Sequence, residues 1–159
     1  MDIKTDWDAI RKHFSKSFSQ NLFIPIASVD SDNNPTVTPI GSLFLNDTQT
    51  GFYFEKYPTK LPLNAKINQN ICALAVNSNK WFWLKSLFKG KFKTNPAIKL
   101  YGHLGERRQA TEKEFSRLNR RMKVTNGLKG NTYLWKKMDY VREIAFTKVE
   151  TINLGKMTD

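Results

Sequence analysis

A Tyr-Pro-Thr-Lys turn at residues 57–60 brings a fixed positive charge and a hydroxyl donor together. The aromatic run GFYFEKY leads into the turn, and LPLNAKINQN, which predicts a short helix, follows it. A phosphate group is held by positive charge and several donors, which Lys60, the Thr59 hydroxyl and the first N–H groups of a helix supply. The turn is therefore a candidate phosphate site, although an ordinary solvated turn uses the same residue types.

Other residue types that perform chemistry are scarce in this chain. Cys72 lies within the apolar run ICALAV, where a thiol is usually a small core residue. His103 has no carboxylate or cysteine companion in its local pattern, and His13 lies beside the apolar stripe of the first helix. One cysteine and two histidines exclude an internal disulfide and a zinc cage, so no metal site is predicted. The sequence contains neither a nucleophilic serine elbow nor a phosphate-binding glycine loop.

The hydrophobic pattern indicates the elements that must position these residues. Apolar residues recur at helical intervals from Trp7 to Phe18. Thr5 and Asp8 have capping-box spacing before this helix, and Asp6 is another available cap. Strands are predicted at 22–30, 36–45, 51–57, 71–77, 97–109 and 141–154. Further helices are predicted at 61–70 and 111–124, whereas residues 79–96 are predicted to be irregular.

This order of elements predicts a mainly β protein with peripheral helices, built as a small antiparallel barrel of six or more strands. Pro25 and Pro39 cannot donate to a sheet ladder, so they are expected at edges, bulges or the barrel rim. A length of 159 residues, 40% of them hydrophobic, fits one domain over residues 1–159. The sequence has no apolar run of membrane-spanning length and no signal-peptide core at its start, so a cytoplasmic protein is expected.

The positive charge is concentrated in one part of the chain. The formal net charge is +12, yet residues 80–142 hold 17 Lys and Arg against four Asp and Glu. The rest of the chain is close to neutral. A cationic surface made by this one region is therefore predicted, and it needs its own explanation.

Two stretches resemble a known family when their motifs are taken in order. VDSDNNPTVTPIGSLFL followed by GFYFEKYPTKLPLNAKINQNICALAV resembles the first half of the flavin mononucleotide (FMN)-binding split barrels, the pyridoxamine 5′-phosphate oxidase-like family. AIKLYGHLGERRQATEKEF resembles the next strand of that family, with Gly102 as its central glycine, and the capped helix after it. The resemblance covers about residues 22–149. It implies a split β-barrel that binds FMN non-covalently and forms a homodimer with the flavin at the subunit interface.

The resemblance also implies particular site residues. Lys60, with Thr59, is implied to hold the flavin phosphate. The other implied site residues are Thr36, Val37 and Thr38, beside the isoalloxazine ring or ribityl chain, and Tyr53 and Phe54, on the neighbouring strand. Strand backbone groups, small hydroxyls and aromatic side chains suit a large, flat and partly apolar ring.

Three departures separate this chain from the vitamin-converting members of that family. Thr36 stands where those members carry an arginine, and Ala97 and Ile98 stand where a phosphate-contacting glutamine is expected. The C-terminus, ETINLGKMTD, lacks their Arg-x-x-Pro ending. The side-chain grip on the phosphate is therefore weaker, and pyridoxamine phosphate oxidation is not expected.

The segment KWFWLKSLFKGKFK, residues 80–93, has several possible uses. Its apolar residues fit packing on the barrel or across a dimer interface, with the lysines solvated. Trp81 or Trp83 would alternatively cover the flavin, while nearby cations attract an anionic substrate. The same pattern fits single-stranded nucleic acid or an amphipathic helix on an anionic membrane.

Together these features predict a homodimeric FMN-binding split barrel, acting as an oxidoreductase on a small, anionic substrate, with the flavin performing the redox chemistry. A deazaflavin in place of FMN is a variant of this hypothesis. The competing hypothesis is a basic barrel that binds single-stranded nucleic acid through residues 80–93 and the arginines at 117, 120 and 121. A cofactor-less dimeric binding module is a third alternative.

Overall fold

The computed structural model describes residues 1–123 and 127–158. Its strands and helices are, in chain order, α1 (Trp7–Asn21), β1 (Ile24–Val29), β2 (Pro35–Ile40), β3 (Leu43–Leu45), β4 (Thr50–Phe54), α2 (Lys60–Ala65), β5 (Asn70–Val76), α3 (Lys80–Lys89), β6 (Ala97–Gln109), α4 (Glu112–Met122), α5 (Lys129–Trp135) and β7 (Tyr140–Thr151).

The seven strands form one antiparallel sheet in the order β2-β1-β5-β6-β7-β4-β3. The two edge strands, β2 and β3, are neighbours in the chain, so the sheet curls into a half-barrel. The predicted strand 36–45 is divided at Gly41 and Ser42. The Ser42 hydroxyl accepts from the Phe54 N–H at 3.1 Å and donates to the Phe54 carbonyl at 3.2 Å. The predicted mainly β architecture with peripheral helices is confirmed.

Two apolar clusters hold the sheet and its helices together. The larger cluster lies inside the curled sheet and includes Ile10 and Phe14 of α1 with Ile26, Tyr53 and other strand residues. The smaller one lies under α4 and contains Phe52, Phe54, Leu118 and their neighbours. Burial of such large apolar side chains is the main stabilising contribution to the fold.

Backbone constraints account for three details of the sheet. Pro25 and Pro39 face each other across β1 and β2. Pro39 lies on the edge strand β2, and Pro25 lies on the interior strand β1 just before Ile26, where its pairing with β5 begins. Gly102 lies at a bulge between β6 and β7, where a Cβ atom would approach the Ala145 carbonyl oxygen to 2.3 Å. A side chain at position 102 would therefore force β6 and β7 apart.

The helix signals were partly right. The capping box at Thr111 and Glu114 is confirmed at the start of α4. The box at Thr5 and Asp8 is wrong, because α1 begins after Asp6 and the Asp2 carboxylate accepts from the Thr5 backbone instead. The predicted helix 111–124 ends at Met122, and its last residue lies outside the described residues.

Residues 80–89 were expected to be irregular and instead form helix α3, which the Asn79 side chain caps by accepting from the Phe82 N–H. The segment also lacks strand-type alternation, and its long side chains favour a helix. Within residues 1–123 and 127–158, no helix is long and apolar enough to cross a membrane.

Candidate functional site

A polar cluster joins helix α2 to the edge strand β2. The Asn64 side chain of α2 donates at 2.9 Å to the Ser28 hydroxyl of β1 and at 2.9 Å to the Thr36 hydroxyl of β2. The two hydroxyls lie 3.0 Å apart, and Ser28 and Asn64 are almost fully buried. Removal of one buried partner would leave the others unsatisfied, so the cluster fixes α2 against the start of β2.

The same helix carries the residues predicted to hold a phosphate. Thr59 immediately precedes α2, and Lys60 is its first residue, one turn before Asn64. Both side chains are exposed, and the Thr59 hydroxyl makes no hydrogen bond to a described residue. The structure thus brings Thr36 and the Thr59-Lys60 pair to one end of the β1–β2 hairpin, with free donors at Thr59 and Lys60.

The turn between β1 and β2 adds a carboxylate near Lys60. Asp30 accepts from the backbone N–H groups of Asn34 at 2.9 Å and Asp32 at 3.0 Å. These hydrogen bonds, with a smaller contribution from the charge on Lys60, hold the pKa of Asp30 below its ordinary value. The charge on Lys60 therefore acts on the Asp30 carboxylate, although Lys60 forms no ion pair with a described residue.

The other two predicted residues of β2 alternate in exposure. Val37 is 65% exposed and Thr38 is half-buried, as expected for neighbours that point to opposite faces of an edge strand. Leu63 and Ile67, on and just after α2, are also exposed. Exposed apolar side chains therefore lie on α2 beside the polar cluster and, with Val37, on the opposite face of β2.

Tyr53 and Phe54 are both fully buried. Tyr53 belongs to the larger core and donates its hydroxyl to Glu55 at 2.8 Å, while Phe54 packs in the smaller core under α4. Burial, followed by the charge on Glu55, raises the pKa of Tyr53 far above its usual value. Their buried side chains therefore hold the end of β4 in place, directly before Glu55.

An ion-pair cluster that local sequence patterns do not reveal lies at that strand end. Glu55, whose side chain is only 7% exposed, binds the guanidinium groups of Arg142 and Arg107, the latter at 3.3 Å. The Arg107 guanidinium also stacks 3.6 Å above the Tyr140 ring. Hydrogen bonding to Glu55 raises the pKa of Arg142, so this guanidinium group stays charged. The only sequence signal was a lone acid between an aromatic strand and the Tyr-Pro-Thr-Lys turn.

A shallow concavity of about 380 Å³ connects this cluster to the turn. Its lining residues are Glu55, Lys56, Pro58, Thr59, Pro62, Leu63, Lys66 and Arg107. The three cations outnumber the one carboxylate, which is already occupied by two arginines. The concavity therefore offers an anion positive charge from several directions beside the Thr59 hydroxyl.

The two tryptophans predicted as a possible cover differ in their environment. Trp83 donates its indole N–H to the Asn77 carbonyl at 2.6 Å and packs edge-on against Phe92, with ring centroids 5.1 Å apart. Trp81 is 70% exposed. Neither residue lines the concavity at Thr59.

The remaining candidates from the sequence have structural surroundings. The His13 ring lies 3.3 Å from the Ala75 carbonyl, and burial lowers its pKa. Burial raises the pKa of Cys72, which keeps the thiol protonated at neutral pH. His103 is exposed on β6. In the part of the chain that the structure describes, no group of three His, Cys, Asp or Glu side chains is arranged to hold a metal ion.

The arginines at 117, 120 and 121 do not form one solvated face. Arg117 donates to the Leu45 carbonyl at 2.6 Å, and Arg121 donates to the Leu43 carbonyl at 2.7 Å. Both guanidinium groups also lie against the Phe44 ring. Only Arg120 of the three is exposed.

Solved structures with the same fold give this arrangement a context. An FMN-binding protein from Syntrophomonas wolfei is 16% identical, with a TM-score of 0.60 and 94% of each chain covered. A protein described as a putative pyridoxamine 5′-phosphate oxidase from Lactobacillus delbrueckii is 19% identical, with a TM-score of 0.51, covering 86% of this chain and 91% of that one. HutZ, described as a heme storage protein from Vibrio cholerae, is 10% identical, with a TM-score of 0.51, covering 88% and 92%.

At these identities the likeness establishes the fold alone, and that fold is the split barrel expected from the sequence. No family model matches the chain, and no curated protein matches it. The three neighbours bear descriptions that name different ligands or activities, so the ligand has to be inferred from the residues of this chain.

Proposed function

We propose that this chain is an FMN-binding protein of the pyridoxamine 5′-phosphate oxidase-like family and acts as a flavin-dependent oxidoreductase on a small anionic substrate. The observation that carries the proposal is the Asn64 bridge, which fixes the helix bearing Lys60 against Thr36 of β2. This contact links the helix that carries Lys60, which the family resemblance implies at the flavin phosphate, to Thr36, which it implies beside the ring or ribityl chain.

The donors at the turn fit the phosphate of FMN. The Thr59 hydroxyl is free among the described residues, Lys60 is exposed, and the adjoining concavity adds Arg107 and Lys66. Arg107 is held by Glu55 and by stacking on Tyr140, so it loses little freedom when it meets an anion. We propose that Arg107 compensates for the arginine that is absent at Thr36.

The ring of the flavin needs a larger apolar wall than this one surface supplies. Leu63 and Ile67 are exposed on and just after α2, and Val37 is exposed on the outer face of β2; a flat ring or a second copy of the chain would cover them. We therefore propose a homodimer with the flavin between the subunits, and Thr36, Val37 and Thr38 alongside the ring or ribityl chain. A bound flavin supplies the redox chemistry, and the residues of this chain bind and orient it.

Fluorescence titration of FMN against the purified protein tests this proposal. We expect Lys60→Ala to weaken FMN binding at least tenfold, about the loss of one charge-assisted hydrogen bond, and Asn64→Ala to weaken it by misplacing α2. Lys89→Ala, an exposed lysine of α3, is the matched control and should bind like the unchanged protein.

Heme and a deazaflavin are titrated in parallel as rival ligands. One structural neighbour is described as a heme storage protein, and the basic surface would also suit the acidic tail of a deazaflavin. Equal losses for Lys60→Ala and Lys89→Ala would show that only general charge attracts the flavin. Tighter binding of heme or deazaflavin than of FMN would overturn the choice of cofactor.

A further inference from the structure

A second concavity lies on the other side of the molecule, between α1, α4 and the edge strand β3. Its volume is about 340 Å³, at the lower end of the range of small-molecule pockets. The lining residues are Asp8, Arg11, Lys12, Phe14, Ser15, Phe18, Ile24, Leu43, Leu45, Arg117 and Arg121. None of them belongs to the concavity at Thr59.

The strand register separates this groove from the proposed flavin site. Ile24, which lines the groove, pairs with Ile40, whereas Ser28 and Thr36 pair four residues further along the same hairpin. Four residues of extended chain span roughly 13 Å. A ligand in the α1–α4 groove therefore does not occupy the surface around Thr36 and Lys60.

Positive charge in the groove is only partly compensated. Arg11 is paired with Asp8 at 3.2 Å and with Asp47 at 2.7 Å. Arg117 and Arg121 form no ion pair with a described residue, and their acceptors are uncharged oxygens of β3 and Asn46. Lys12 is exposed and forms no hydrogen bond or ion pair with a described residue. Two guanidinium groups and one ammonium group thus face the groove without an ion-pair partner among the described residues, although the charges on Asp47 and Glu114 partly offset that of Arg117.

The arginines also repel one another. Burial, followed by the charge on Arg117, lowers the pKa of Arg121 to about 10. Burial and then the charge on Arg11 lower the pKa of Arg117. An anion in the groove would relieve this repulsion, and the Nε and Nη2 groups of Arg121 have no acceptor among the described residues.

The floor of the groove is apolar. Phe14, Ile24, Leu43 and Leu45 are buried there, and the Arg121 guanidinium lies between the rings of Phe18 and Phe44 at 4.1 and 3.5 Å from their centroids. A planar or aliphatic body fits this floor better than a free hydrated ion. Three cations without an ion-pair partner among the described residues favour a dianion over a monoanion.

We propose that the α1–α4 groove binds a small organic phosphate monoester, with its phosphate on Lys12, Arg117 and Arg121 and its apolar body on the floor beside Phe14 and Leu43. Arg117 and Arg121 are already oriented by the carbonyl groups of β3, so their remaining N–H groups are directed before the ligand arrives. The proposal is independent of the flavin site.

Calorimetric titration with phenyl phosphate tests the site at fixed ionic strength. The titration uses the Lys60→Ala background, which weakens phosphate binding at the flavin turn, and the Lys12→Gln variant below assigns the remaining binding to the groove. We expect phenyl phosphate to bind at one site per chain and at least tenfold more tightly than benzoate, its monoanionic analogue, or inorganic phosphate, which lacks the apolar body.

Lys12→Gln is the informative variant, because Lys12 is exposed and its loss leaves the fold intact. It should weaken phenyl phosphate binding about tenfold, whereas Lys85→Gln on α3, which removes the same charge elsewhere, should change it less than about twofold. Arg121→Lys keeps the positive charge but loses the planar set of guanidinium donors. It should weaken the binding of phenyl phosphate while circular dichroism shows a folded chain.

Three results would overturn the proposal. The first is no saturable binding of phenyl phosphate, and the second is equal binding of phenyl phosphate and benzoate. The third is an equal effect of Lys12→Gln and Lys85→Gln, which would show attraction by net charge alone.

Discussion

The lysine-rich segment 80–93 and the arginines of β6, α4 and β7 contribute to one positive region of the sequence but have opposite environments. The lysines of α3 are exposed, and no ion pair holds them among the described residues. Arg108 instead binds Glu114 through two N–H groups and Glu143 through a third, and Arg142 binds the buried Glu55. Net charge alone therefore did not indicate which cations are available to a partner.

The chemistry of the two side chains explains the difference. A guanidinium group is planar and carries five donors, so it satisfies carboxylates and backbone carbonyls while its face lies on an aromatic ring. A lysine ammonium is strongly hydrated, and its stem packs while its charge remains in water. The arginines thus stabilise the fold and shape two concavities, and the lysines of α3 raise the surface potential.

The largest expected difference in the free energy of unfolding is between the Arg142→Gln and Lys89→Gln variants. Arg142→Gln leaves the Glu55 carboxylate, 7% exposed, with only Arg107 and Tyr53, so we expect the free energy of unfolding to fall by about 3 kcal/mol. Lys89→Gln should change it by less than about 0.5 kcal/mol. Urea denaturation measures both values, and equal effects would remove the distinction between the two regions.

The next contrast lies within α3 itself. Trp83→Ala removes the indole contact to Asn77 and the packing on Phe92, and should cost about 2 kcal/mol of unfolding free energy. Trp81→Ala should be nearly neutral in the same denaturation experiment, because its ring is 70% exposed. If Trp81→Ala instead abolishes dimerisation or FMN binding, Trp81 covers the flavin from a second subunit.

A smaller effect is expected from pH at the start of α4. Burial alone would favour protonated Glu114, but hydrogen bonds from Arg108 and Thr111 hold its pKa below the usual value. A depressed pKa in the folded state stabilises the protein above the unfolded-state pKa, and this contribution is lost as the pH falls through the folded-state pKa.

Glu114→Gln should therefore lower the unfolding free energy by about 1 kcal/mol at pH 7 and by less in acid. Denaturation at both pH values measures the difference. A constant effect of Glu114→Gln across the pH range would assign its contribution to shape and not to charge.

The smallest expected effect concerns nucleic acid. A single-stranded oligonucleotide should bind weakly at low salt through the exposed lysines of α3 and dissociate at physiological salt. Replacement of Lys85 and Lys89 by Gln should reduce this weak binding, measured by fluorescence anisotropy, and Arg117→Gln should not. Salt-resistant binding that requires Trp81 would support the nucleic-acid alternative.

The sequence was sufficient for most of the fold because local patterns determined it. Strand alternation predicted β6 at its full length, and the Thr111 capping box predicted the start of α4. The division of strand 36–45 was missed because it depends on Ser42 bonding to Phe54, a contact that is twelve residues distant in the chain. Helix α3 was missed because contacts outside the helix hold it in place: Trp83 donates to the Asn77 carbonyl before it, and Phe82 stacks on Phe92 after it.

The candidate site was only partly predictable for the same reason. Thr59, Lys60 and Thr36 carry recognisable local motifs, and the structure brings them to one end of the β1–β2 hairpin. Arg107 reaches the concavity from β6 and is held by Glu55, the residue directly after β4. Arg107 and Glu55 meet only when distant parts of the chain come together in the sheet, so the sequence around either residue does not predict their contact.

The spectrum of the purified protein tests the central claim most directly. The protein is mixed with FMN, passed through gel filtration to remove unbound flavin, and its near-ultraviolet and visible absorbance is recorded alongside that of Lys60→Ala. We predict flavin bands that co-elute with a dimer at about one FMN per chain, and a colourless but folded Lys60→Ala protein. A folded, unchanged protein that elutes without flavin bands, or one that retains equal flavin after Lys60→Ala, would contradict the account.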